Sequence, residues 1–358
     1  MGTVVKTIRS GGGGDYTTIL AFIAALPANL VTDGNSYVGN CYNDAVFDDG
    51  QISFSGHTTD STHTITVQAA PGQSFRDNVS AQTNALRWNQ SNGVALQRTV
   101  AASTTITTGD DYVFLSGLQI KSTDTGSSVI KNGAGHFTAT FCIISGVSNA
   151  ASQGIFGGAP NGILRNCLIL NTGGGASSNC VFDNVTGATI TLDYCDIVGS
   201  SGLGTPVPNA IALDASGNVT IKNCAIFGCT AVDNATGTRS YTTCMSDVAS
   251  PPSGVTGSKT YANQFQNTTA ASADYRIKTG ADLLGAATAD IVNDPNDILG
   301  VPRPQKGGLW DIGCAELARP GGGLTTVGVG SFILPFLADR FLKNQPISRR
   351  SFLSFIKW

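Results

Sequence analysis

The stretch "VTIKNCAIFG", residues 219–228, sets a cysteine in the middle of an apolar run, and three other stretches repeat the pattern. They are "FTATFCIISG" at 137–146, "GILRNCLILN" at 162–171 and "ITLDYCDIVG" at 190–199. Aligned on Cys142, Cys167, Cys195 and Cys224, the runs are spaced by 25, 28 and 29 residues, and "YVFLSGLQI" adds Leu118 in the same register 24 residues earlier. Two positions on, all five carry isoleucine (Ile120, Ile144, Ile169, Ile197, Ile226). Three positions before stand Leu115, Ala139, Leu164, Leu192 and Ile221.

Within each run the apolar alternation has period two, broken by a two-residue step, which predicts two short strands joined by a bend. A second apolar column 11 to 13 residues upstream, Ile130, Phe156, Phe182, Leu213 and Val232, adds a third strand-sized piece per repeat. Short strands and Gly/Asn turns at a period of 20 to 30 residues define a parallel β-solenoid, whose coils stack at about 4.8 Å. Cysteine then serves as a small hydrophobe stacked coil on coil. Matching positions on parallel strands rarely reach disulfide geometry, so these thiols are expected to be reduced.

Composition agrees. Of 358 residues 41% are hydrophobic, enough to fill a core, while only 13% are charged, about half the usual share. A net charge of −3 argues against a nucleic-acid partner. The opening "MGTVVKTIRSGGGG" has no apolar core of a secretory signal, and Lys6 breaks the myristoylation pattern. Nine cysteines without a CxxC pair, and only His57, His63 and His136, give no zinc-binding spacing. No cofactor is expected.

Residues 1–30 read as a strand and a cap helix. In "GDYTTILAFIAALP", Asp15 or Thr17 is the expected N-cap, Ile19, Phe22, Ile23 and Leu26 form one face, and Pro27 closes the helix. Such a helix covers the open end of a solenoid. Here the sequence resembles the right-handed parallel β-helix superfamily of pectate-lyase-like proteins and viral tailspikes. "ADYRIKTGADLLGAA" (273–287), "DILGVPRP" (297–304) and "WDIGCAEL" (310–317) look like the closing segment of bacterial and phage members. The resemblance implies an all-β, right-handed parallel β-helix over residues 31–317 and leaves activity open, because the fold hosts lyases, hydrolases and inert scaffolds alike.

Two columns are candidate sites. Thr140, Arg165, Asp193 and Lys222 stand two positions before the cysteines: a lyase-type base with a charged partner, or an outward ladder of alternating sign that neutralises itself. Asp183, Asp214 and Asp233 follow Phe182, Leu213 and Val232, and stacked carboxylates suit calcium. The same residues open "DNVTG", "DASG" and "DNATG", where Asp is a turn former, so the ladder and the turns are the expected readings and no metal is expected.

Residues 318–358 are a Gly-rich linker and a tail in which Phe332, Phe336, Phe341, Phe352, Phe355 and Trp358 interleave with Arg340, Lys343, Arg349, Arg350 and Lys357. Pro335, Asp339, Arg340 and Pro346 interrupt it too often for a membrane span. Aromatic and Arg residues suit a docking arm. The combined expectation is a non-enzymatic tailed-phage virion protein, a capsid decoration (cement) protein or head fibre, assembled in the host cytoplasm and displayed on the virion surface. Its expected partners are the major capsid protein and, by resemblance to viral β-helices, two further copies in a homotrimer. The alternative is a polysaccharide-binding or polysaccharide-cleaving protein of the tailspike depolymerase or lyase kind; a bacterial surface adhesin is a third reading.

Overall fold

The computed structural model describes residues 2–78, 80–81, 83–99, 104–123, 128–133, 135–146, 154–157, 161–172, 179–183, 189–199, 207–213, 216–269, 272–289, 296–303 and 309–317. Three parallel sheets run the length of this region. The nine-stranded sheet contains, among others, His136–Thr140, Asn161–Arg165, Thr189–Asp193 and Asn218–Lys222; the eight-stranded sheet contains Ile143–Gly146, Leu168–Asn171, Asp196–Val198 and Ala225–Phe227. The seven-stranded sheet contains Ile130–Asn132, Gly154–Gly157, Asn179–Asp183, Val207–Leu213 and Cys229–Asp233. The chain visits the three in turn, one coil per repeat: the protein is a parallel β-helix. A right hand follows from the rule for parallel crossovers.

The register matches the sequence alignment on the first two sheets. Leu115, Ala139, Leu164, Leu192 and Ile221 are successive partners, as are Ile120, Ile144, Ile169, Ile197 and Ile226. On the third sheet the alignment slips. Phe156 faces Val181 rather than Phe182, and Leu213 faces Asp183. The corners leading out of this sheet differ in length from coil to coil, three residues after Gly157 and five after Asp183, so a register counted back from the cysteines cannot be carried across them.

The bend between the first and second sheets is built from one left-handed residue per coil: Gly117, Phe141, Asn166, Tyr194, Asn223 and Thr243, with φ between 48° and 69°. Each immediately precedes a residue of the aligned column, Leu118, Cys142, Cys167, Cys195, Cys224 or Cys244. Hydrogen bonding continues through the bend, with Phe141 N donating to Arg165 O, Asn166 N to Asp193 O and Tyr194 N to Lys222 O. The cysteine thiols donate to carbonyls at the bend: Cys167 Sγ to Arg165 O at 3.2 Å and Cys224 Sγ to Lys222 O at 3.2 Å. All nine cysteines are free and buried.

At the N-terminal end the helix spans Ile19–Ala24 and buries Ile19, Phe22 and Ile23. Its N-cap is Thr18, not Asp15 or Thr17, and it ends at Ala25, before Pro27. Asp15 is occupied elsewhere, accepting from Thr7 N and Thr7 Oγ1 at 2.8 Å each. Asp49 supplies the carboxylate the helix start needs, accepting from Ile19 N at 2.6 Å. Gly39 lies beneath the helix, where a Cβ would sit 2.7 Å from Ile8 Cδ1 and 3.0 Å from Phe22 Cε1.

The closing segment, in its described residues, buries apolar side chains against the solenoid. It runs along the outer face of the second sheet, where Phe265, Tyr275, Ile277, Leu283, Ile298, Leu299 and Ile312 pack on Ile143, Leu168, Leu170, Val198 and Phe227 as a second core. Phe75 and Leu86, from residues 70–94, join it. This sheet is therefore buried on both faces, which explains why its strands read as continuous apolar runs such as Leu168-Ile169-Leu170. No helix among the described residues is long and apolar enough to cross a membrane.

Candidate functional site

Thr140, Arg165, Asp193 and Lys222 are consecutive partners across the first sheet. The Asp193 carboxyl, 6% exposed, thus lies on a strand flanked on both sides by strands that carry a cation at the same position. At the interstrand spacing of about 4.8 Å, alternating charges attract one another along the column.

Asp183 and Asp233 do not fall in one column. Asp183 is paired with Leu213 and Asp233 with Ile211; Asp214 lies outside the described residues. Asp233 accepts from Arg239 Nη1 and Tyr241 OH at 2.6 Å each and from Ala235 N at 2.8 Å. Its oxygens are turned to a guanidinium, a phenol and a turn amide, donors that leave it no need of a cation. Among the described residues no group of three or more His, Cys, Asp or Glu side chains is arranged to hold a metal. The tail residues Phe332, Phe336, Arg340, Phe341, Phe352, Phe355 and Trp358 lie outside the described residues.

One grouping escaped the sequence reading. The histidines gather where the third sheet turns into the first on neighbouring coils, each beside an aspartate. His57 Nδ1 is 2.6 Å from Asp110 Oδ2, and His57 N donates to Asp110 Oδ1 at 2.9 Å, with both side chains nearly buried. His136 Nδ1 is 3.2 Å from Asp111 Oδ1, and its ring stacks on Tyr112 with centroids 4.5 Å apart. His63 pairs with Asp60 at 2.9 Å. The signal was available: the register that aligns Leu115 with Ala139 puts Tyr112 beside His136. Each pair joins a loop to itself or to the next coil, so the corner is tied together.

The densest ionic cluster joins the closing segment to the bend. Arg303, 2% exposed, donates to Glu316, to Asn166 Oδ1 at 2.6 Å and to Gly313 O at 3.1 Å, and its guanidinium lies 3.9 Å from the Tyr194 ring centroid. Asp297 accepts from the amides of Leu299, Val301 and Glu316, and Asp311 from those of Gly285 and Leu317. Asp196, on the solenoid, accepts from Cys314 N at 3.2 Å and Cys314 Sγ at 2.9 Å. Further along, Thr288 binds Tyr194 OH through its carbonyl at 2.6 Å and exchanges hydrogen bonds with the Asn223 amide at 2.9 and 3.0 Å. The left-handed bend residues are thus the seat of the closing segment. Burial pushes Asp297 up to about 6, Asp196 to about 7 and Glu316 to about 8, with Arg303 pulling each the other way.

Fold and ionic clusters together define a parallel β-helix protein whose flank is covered by its own C-terminal segment. Compared with known proteins, no family model matches the chain and no curated protein does. Among solved structures it is similar to the crystal structure of pectate lyase Pel9A, 13% identical, over 89% of this chain and 97% of that chain, with a TM-score of 0.41.

Proposed function

We propose that the chain is a non-enzymatic structural protein of a tailed-phage virion, decorating the capsid or standing as a short head fibre and attached through residues 318–358. The observation that carries a structural role is how the ionisable residues are used. Asp193 sits between the positions of Arg165 and Lys222, Asp233 is held by Arg239 and Tyr241, and Arg303 ties Glu316 and Asn166 together. Groups engaged in this way hold the fold and are poorly placed to move protons on a substrate. Attachment is argued from the sequence of the tail, where six aromatic residues alternate with five cations. On this reading the partners are the major capsid protein and two further copies of the chain.

The test is to end the chain after Gly323. Burying even four of the six aromatic side chains in a docking site is worth several kcal/mol, at about 25 cal/mol per Å² of apolar area. The truncated protein should keep the circular dichroism of the full chain while its incorporation into purified virions, followed by mass spectrometry, falls sharply. Normal incorporation would place the anchor elsewhere; absence of the full-length chain from virions would end the virion reading.

A further inference from the structure

Four carboxyl groups, Asp196, Asp297, Asp311 and Glu316, are at most 8% exposed where the closing segment meets the second sheet, and one guanidinium, Arg303, lies among them. One buried cation cannot balance four buried anions, so docking requires that some of these acids stay protonated. The donors decide which. Asp297 has three backbone amides and Asp311 two, whereas Asp196 has one amide at 3.2 Å and a thiol, and Glu316 shares Arg303 with a single amide from Asp311 at 3.1 Å. Asp196 and Glu316 are the least supported as anions. They also lie on opposite sides of the contact, one on the solenoid strand Asp196–Val198 and one on the segment.

We propose that segments 296–303 and 309–317 act as a pH-responsive strap, docked on the second sheet while Asp196 and Glu316 hold protons and loosened when they lose them. The other ionisable neighbours are the thiols of Cys195 and Cys314, the phenols of Tyr194 and Tyr275, and Arg76, which donates to Asp297 O at 3.3 Å. Burial raises Tyr275 and Cys314 further above neutrality, so neither competes in the relevant range. An acid whose docked pKa exceeds its free value binds more protons docked than undocked. Strap stability is therefore full below the free carboxyl range and is lost as pH rises through about 7 and about 8, the values of Asp196 and Glu316. Opening would take Ile298, Leu299, Ile312, Cys314 and Ala315 out of the second core and free the root of the tail at Leu317. Gly313 belongs to the device: its φ is +97°, and a Cβ there would lie 2.1 Å from Asp196 Oδ1.

The experiment is amide hydrogen exchange with mass spectrometry on the full chain at about pH 5.5 and about pH 8, corrected for intrinsic exchange, with strand Thr189–Asp193 as internal control. The opening equilibrium of segments 296–303 and 309–317 should rise at least about tenfold between the two conditions while the control strand is unchanged, since each proton released adds up to about tenfold per pH unit. Asp196→Asn with Glu316→Gln, which fixes both groups in a neutral form, should reduce that rise at least about tenfold, leaving only the several-fold part that belongs to Asp297. A wild-type strap that opens no more at pH 8 than the control strand overturns the proposal, whether or not the double variant folds. So does a folded double variant that keeps the full rise.

Discussion

At the scale of the residue, cysteine recurs at the bend because its site asks for two properties at once. The preceding left-handed residue turns the chain sharply, leaving room inside for a small apolar group, and the carbonyl two residues back lies 3.2 Å from the sulfur in Cys167 and Cys224. Alanine would fill the space without offering a donor; serine would offer a stronger donor but bring a hydroxyl into an apolar interior. Burial pushes the Cys167 and Cys224 thiols above the ordinary range. All four side chains of the column are fully buried, so alkylation of Cys142, Cys167, Cys195 and Cys224 should be slow in native protein and complete after denaturation. Rapid native labelling of all four, or disulfides among them, would contradict an interior thiol column. On the outward side of the same bend, Phe141 and Tyr194 accept the strain of positive φ because something docks on them. Arg76 stacks 3.5 Å from the Phe141 ring centroid and Arg303 3.9 Å from that of Tyr194.

At the scale of the element, the closing segment and the second sheet depend on one another. Leu168, Leu170, Val198 and Phe227 would form an exposed apolar face if the segment were absent, and among the described residues the segment's own sheet is the two-stranded pairing of Phe265–Asn267 with Asp274–Ile277. Arg303 is the residue on which the contact turns. Replacing it by Ala takes one donor away from Glu316, Asn166 Oδ1 and Gly313 O together, and each buried acceptor left unsatisfied costs about 1–3 kcal/mol. Arg303→Ala should therefore lower the denaturant midpoint strongly, with exchange protection lost first in residues 296–303 and 309–317. Arg303→Ala with Glu316→Leu should recover part of the loss, because the buried carboxyl that lost its donor is gone as well. Equal stability of Arg303→Ala and wild type would show that apolar packing alone holds the segment.

At the scale of the whole molecule, coils stacked in one direction carry side chains into long columns, so the same repetition that forms the core also brings charges together. The column Arg165, Asp193, Lys222 is a consequence of the stacking, which sets charges of alternating sign on neighbouring strands. A polysaccharide-degradation screen should find no turnover that depends on it. Turnover lost on Arg165→Ala or Lys222→Ala would instead assign these residues a catalytic role. The long excursion at residues 70–94 and the closing segment cover the same face from opposite ends of the sequence, and Leu86 N donates to Asp274 Oδ1 across that distance at 3.0 Å.

Repetition is what a sequence displays most openly, and the sheet register shows how far that carries. The alignment of Leu115 with Ala139, Leu164, Leu192 and Ile221 follows from spacing alone, because a strand, a one-residue bend and a second strand keep a fixed length in every coil. The solenoid, its three strands per coil and the inward cysteines are determined at this level. The third-sheet register is not, since the corners after it vary in length: Phe156 falls on Val181, one residue from Phe182, and Asp233 falls on Ile211, two residues short of Leu213, the partner of Asp183. Nor could spacing place the closing segment: Arg303 meets Asn166 across 137 positions, and Cys314 meets Asp196 across 118. Contacts between segments so far apart, with no repeat linking them, are selected only when apolar surface on the flank needs covering and buried charges need partners, and that selection exists only in the folded chain.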